Sequence, residues 1–227
     1  MKAIYGLSLS ATLCIAANAS TIQYNGNEYL TIEWDANTPA FGDDRFGVSG
    51  SASGIDVYFS SDGLESDETM LFDYSTDDAF DAVDFGGASL ESLTLFGGES
   101  GTSRLSFSTA AVEVLIFVGA PDDASSSTQF GASIWDFGVS PVEVSIVDNE
   151  PAVGGLRVVD GVVSSPGAAQ ISGIIGASGE TSVLEWLQST SDGRDRMQIS
   201  FAVRTIPAPA GGLAVLLGLG TMMRRRR

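Results

Sequence analysis

The chain has 227 residues and carries 29 acidic against eleven basic side chains, with no histidine and one cysteine, for a formal net charge of −18. A Ser-His-Asp triad, a Cys-His pair and a nitrogen/sulfur zinc site are therefore excluded, and so is Schiff-base chemistry once the single lysine, Lys2, is removed with an N-terminal leader. A field of this sign repels nucleic acid and anionic membrane surfaces and attracts divalent cations.

The chain opens "MKAIYGLSLSATLCIAANAS", one Lys2 followed by an apolar stretch from Ala3 to Ala17 and small residues at Ala17 and Ala19. That is the layout of a secretory signal, with cleavage after Ala19. Residues 1–19 are accordingly set apart from the fold, and Cys14 leaves with them. The rest of the chain is cysteine-free, so no disulfide framework is expected.

Residues 20–205 read as one acidic all-β domain. Apolar side chains recur at period two, the signature of half-buried strands. Ile22 and Tyr24 precede an Asn25-Gly26 turn, and Leu30, Ile32 and Trp34 share one face after it, which predicts a hairpin. Further alternations are Ile55, Val57 and Phe59; Met70, Phe72 and Tyr74; Leu93 and Leu95; Leu105 and Phe107; Val142, Val144 and Ile146; and Met197, Ile199, Phe201 and Val203. Val112 to Val118 is nearly continuous, which predicts a central strand buried on both faces. Only "ETSVLEWLQ" admits a helix, about two turns with Val183, Leu184 and Leu187 on one side, and it fits a strand equally well. Turn clusters about every ten residues predict a single-domain β-sandwich of jelly-roll type.

Within this body the chemistry left open is that of carboxylates. A calcium ion takes six to eight oxygen ligands, and "DYSTDDAFDAVD" places Asp73, Ser75, Asp77, Asp81 and Asp84 at positions one, three, five, nine and twelve of a calcium loop. The pattern departs at position six, Asp78 instead of glycine, and at position twelve, aspartate instead of glutamate. "SSDGLESDE" offers Asp62, Glu65, Asp67 and Glu68 as a second acidic group. A glycosidase would need two carboxyls facing each other across a cleft, about 5 to 9.5 Å apart. Three tryptophans raise carbohydrate binding: Trp34 and Trp135 sit in phase with core positions, which leaves Trp186 as the candidate sugar platform.

The chain closes with Pro207-Ala208-Pro209, fourteen uncharged residues from Ala210 to Met223, and Arg224, Arg225, Arg226 and Arg227. As a helix the apolar run reaches roughly 21 Å, short of a bilayer core of about 30 Å, and local thinning lets it span while the arginines stay cytoplasmic. The Pro-x-Pro element, short apolar helix and terminal arginine cluster resemble the PEP-CTERM sorting signal of bacterial exported proteins. Ala208 stands where that family has its usual glutamate, and the resemblance covers residues 206–227 only.

The resemblance implies recognition by an exosortase-like membrane transpeptidase after passage through the secretion machinery, removal of the tail, and delivery to the cell envelope or extracellular matrix. The membrane is then touched only transiently and only through the tail. Without Lys2 and the four terminal arginines, six basic residues face 29 acids, a net charge near −23. The expected function is a non-catalytic structural or adhesive role in a surface or biofilm matrix. The alternatives are a carbohydrate-binding module for extracellular polysaccharide, calcium-assisted or not, and, third, a carboxylate glycosidase.

Overall fold

A computed structural model describes residues 20–39, 46–62, 64–72, 80–96, 101–119, 133–149, 156–164, 172–190 and 196–206. The leader with Ala17 and Ala19, the sorting tail with Pro207, Ala208, Pro209 and Arg224 to Arg227, and Asp73, Ser75 and Asp77 lie outside the described residues. Among the described residues no helix is long and apolar enough to cross a membrane.

Alternating sequence produces strands almost throughout. They are β1 (Thr21–Tyr24), β2 (Asn27–Thr31), β3 (Glu33–Pro39), β4 (Phe46–Ala52), β5 (Ile55–Ser61), β6 (Leu64–Phe72), β7 (Leu90–Phe96), β8 (Gly101–Gly119), β9 (Ser133–Asp136), β10 (Glu143–Asn149), β11 (Arg157–Val159), β12 (Val162–Ser164), β13 (Gly173–Thr190) and β14 (Arg196–Thr205). Among the described residues every pairing is antiparallel and all strands belong to one connected sheet. The ambiguous "ETSVLEWLQ" is strand, the second half of β13.

The spine is the long pair β8 and β13, in register from Val118 opposite Gly173 to Gly101 opposite Gln188, with irregularities between Ser178 and Val183. There the sheet divides. On the free edge of β8, β14 pairs along 111–119 and β5 along 103–107. On the free edge of β13, β10 takes the first half and β9 the second. Bulges add local twist and bend a strand, and the strands that flank β8 and β13 change at these irregularities. β14 carries β7 on one half and β2 on the other, while β3, β4 and β5 form a meander, as do β9, β12 and β11 in space.

Three two-residue turns explain the tight hairpins. Asn25-Gly26, Ser53-Gly54 and Asp160-Gly161 all have positive φ at both positions, the twist that matches flanking strands and that asparagine, aspartate and glycine tolerate best. Replacing Asn25-Gly26 with Val-Val places two β-branched residues in the left-handed region, at roughly 1–2 kcal/mol each. A fall in the thermal midpoint is the expected result; an unchanged midpoint would contradict this turn.

Two cores result. The larger gathers Ile32 and Trp34, Val57 and Phe59, Leu93 and Leu95, Leu105 and Phe107, Leu184 and Trp186, and Ile199, Phe201 and Val203. Strands that share no ladder meet in it: the Phe59 and Phe201 ring centroids are 5.3 Å apart, and Trp34 meets Phe201 edge-on at 6.0 Å. The smaller core holds Ile22, Tyr29, Phe80, Val83, Phe85 and Leu90 against the other face of β8 and β14. β8 is indeed buried on both faces, with Val114, Ile116 and Val118 in the larger core and Leu115 and Phe117 in the smaller.

Candidate functional site

The acidic loop reading meets the structure at Asp81 and Asp84. Both line a shallow cleft of about 270 Å³ with Phe80, Val83, Phe85, Gly86 and Gly87. Phe80, Val83 and Phe85 are buried in the smaller core, which fixes the segment as a lid over one sheet face. The backbone of Asp84 exchanges two hydrogen bonds with Gln23, and its Oδ1 accepts from the Gly86 N–H at 2.9 Å. Asp148 Oδ2 accepts from the Ala82 N–H at 2.7 Å and ties the segment to β10. Asp84 thus serves a turn within the chain. Among the described residues no three histidine, cysteine or carboxylate groups come together in a way that could hold a metal ion.

Trp186 corrects the expectation of a surface platform. It is 1 % exposed, with Phe59 stacked at 6.0 Å and Phe137 at 5.4 Å on a 30° tilt, so a sugar finds no face on it. The physical reason is parity. Leu184, Trp186 and Gln188 point inward from β13 while Leu187 points out, half exposed. Trp34 and Trp135 are buried, as their phase required. Beside Trp186 lies a buried polar relay: the Ser61 and Ser103 hydroxyls are 2.8 Å apart, and Ser103 donates to Gln188 Oε1 at 3.0 Å. Buried hydroxyls and amides need such partners, and this one stitches β5, β8 and β13 together inside the core.

No aspartate or glutamate among the described residues is fully buried. The most engaged carboxylate is Glu113. Its Oε2 accepts from the Tyr29 hydroxyl at 2.7 Å and from Arg204 at 2.8 and 3.2 Å, while the Ser178 hydroxyl donates to Oε1 at 3.4 Å. The Arg204 guanidinium lies 6.0 Å from the centre of the Tyr29 ring. Burial, followed by the hydrogen bond to Glu113, pushes the Tyr29 phenol well above its ordinary value, and the same carboxylate raises Arg204. Sequence reasoning misses this cluster, although Glu113 is the single charge inside the run "AVEVLIFV" and signals it.

No protein-family model, curated protein or solved structure matches this chain. The chemistry is therefore read from the residues themselves. Glu113, Tyr29 and Arg204 join β8, β2 and β14 and satisfy one another, which is the work of a clamp. Among the described residues, a further polar surface is the outward side of β4, β5, β8 and β13. Tyr58, Ser60, Arg104, Ser106 and Glu185 lie there, on the side opposite the larger core, and Leu187, Ile134 and Val159 continue it along β13, β9 and β11.

Proposed function

We propose that this is an exported bacterial envelope or extracellular-matrix protein whose leader and sorting tail are removed, leaving an acidic β-sandwich of jelly-roll kind with a non-catalytic, structural or adhesive role. The reading rests chiefly on the tripartite layout: a cleavable leader ending at Ala19, an acidic body, and a Pro-x-Pro, apolar and tetra-arginine tail. The fourteen described strands run from Thr21 to Thr205. Loss of residues 1–19 and of the segment after Ile206 takes none of these strands from the sheet. The division of the sheet at the β8–β13 irregularities, with both parts contributing to one core, supports the sandwich.

The test is the intact mass of the protein recovered from its host's envelope and medium. A mass running from Ser20 to the vicinity of Pro207 is the expected result. A chain that keeps residues 1–19 or the four terminal arginines in the finished protein would overturn the sorting reading. A second reading, a polysaccharide-binding module, is favoured by the polar outward side around Tyr58.

A further inference from the structure

Tyr58 does not stand upright on its strand. It pairs with Ser49, yet its ring reaches diagonally across the ladder to cover Gly47: a Cβ added to Gly47 would lie 2.1 Å from the phenolic oxygen and 2.6 Å from Cζ. Gly47 is buried under this ring, while Tyr58 itself is only half-buried. Any side chain at position 47 would lift the ring, so the glycine lets the tyrosine lie along the sheet. Among the described residues no side chain hydrogen-bonds the Tyr58 hydroxyl.

The rows around it are polar. Ladder registers set Gly47, Ser60, Arg104 and Glu185 in one row, and Ser49, Tyr58, Ser106 and Val183 in the next. Arg104 is exposed and forms no ion pair among the described residues, although the body has 29 acids and only six basic residues. Glu185 faces it across the ladder, so the local charge is balanced within a strongly negative molecule. Four strands at about 4.8 Å spacing make this a strip roughly 14 Å wide.

We infer that this strip binds a neutral polysaccharide, with the Tyr58 ring stacked against the C–H face of one sugar and Arg104, Glu185 and the half-buried Ser49 bonding the flanking hydroxyl groups. An aromatic ring with an apolar face and a polar tip suits a ligand that is apolar on its ring faces and polar around its rim. An arginine and a carboxylate whose side chains form no hydrogen bond or ion pair among the described residues supply donors and acceptors that reward hydroxyl groups on either side. Anionic chains are disfavoured by the net charge near −23. The site is independent of tail processing: retention of the tail leaves the strip as it is, and absence of sugar binding leaves the mass unchanged.

Protein recovered from its host would be run in native gels containing hydroxyethylcellulose, mixed-linkage β-glucan or dextran. Retardation by at least one of these neutral polymers is expected, retained in Tyr58→Phe and weakened about tenfold or more in Tyr58→Ala. Gly47→Ala should weaken it too, because the ring is displaced while its chemistry is kept. No retardation of the unaltered protein by any polymer, or equal retardation of Tyr58→Ala, overturns the inference. Should Tyr58→Ala fail to fold, titration of the unaltered protein with the retarding polymer's oligosaccharide decides. The Tyr58 ring resonances shift if the inference holds, and their constancy overturns it.

Discussion

Replacing Trp186 with alanine should cost about 3–5 kcal/mol of folding free energy, the range for removing a buried aromatic side chain and leaving its cavity. The ring is 1 % exposed and contacts the Phe59, Phe137 and Phe201 rings, whose centroids lie 5.4 to 6.4 Å away. Those rings come from β5, the turn after β9, and β14, so the cavity would open where several parts of the sheet converge and cannot collapse by moving one strand. Against a total stability of about 5–15 kcal/mol, such a loss leaves a domain close to unfolding at growth temperature. Urea denaturation is the measurement: the midpoint should fall strongly with the slope unchanged. A loss below about 1 kcal/mol is the outcome for an exposed aromatic residue and would return Trp186 to the surface, where the sugar-platform reading would have it.

The same residue shows how far the sequence can be read. In "SVLEWLQ" the apolar residues Val183, Leu184, Trp186 and Leu187 satisfy neither period cleanly, because Leu187 is an apolar side chain on the outward face of a strand. Periodicity alone cannot separate helix from strand there; pairing with β8 and β9 does. Where one face is buried and the other wet, the pattern is legible. Leu30, Ile32 and Trp34 pack against or into the larger core, Ile22 enters the smaller, and Asn25-Gly26 forms the turn between their strands.

The misreadings share a cause, which is that acidic and small residues look like loop wherever they occur. The alternation sets Leu105 and Phe107 apart from Val112 to Val118, yet β8 runs through Thr109 and Ala110 as one strand. The group Glu65, Asp67 and Glu68 lies in β6, which among the described residues pairs with β7 alone. Charge on such an edge strand discourages pairing with another chain. Tyr58 is hidden for a different reason. Its lie over Gly47 depends on the register of β4 and β5, and a glycine eleven residues upstream says nothing of that until the ladder is known.

The clamp at Glu113 yields the second large effect. Glu113→Ala strips the acceptor from the Tyr29 hydroxyl, which is fully buried, and from Arg204, whose side chain is 36 % exposed. Arg204 can return to water, so its share of the pair is discounted. The buried phenol cannot, and bonds to a charged group are worth about 1.5–3 kcal/mol. A loss of about 2 kcal/mol is expected, carried mostly by Tyr29. Alkaline pH separates the phenol from the ion pair. The folded Tyr29 holds its proton well above the ordinary tyrosine value of 10.0, by burial first and the Glu113 bond second. Above pH 10 the folded chain therefore binds more protons than the unfolded one. The stabilisation from this group is complete below that pH and is lost as pH rises toward the folded-state value, by about 1.4 kcal/mol per unit. Tyr29→Phe keeps the ring and removes the titration, so its stability should be lower than that of the unaltered protein at pH 8 and fall less steeply between pH 10 and 11. Equal slopes for the two proteins would mean that Tyr29 ionises as freely when folded as when unfolded, and that the Glu113 bond does not hold its proton.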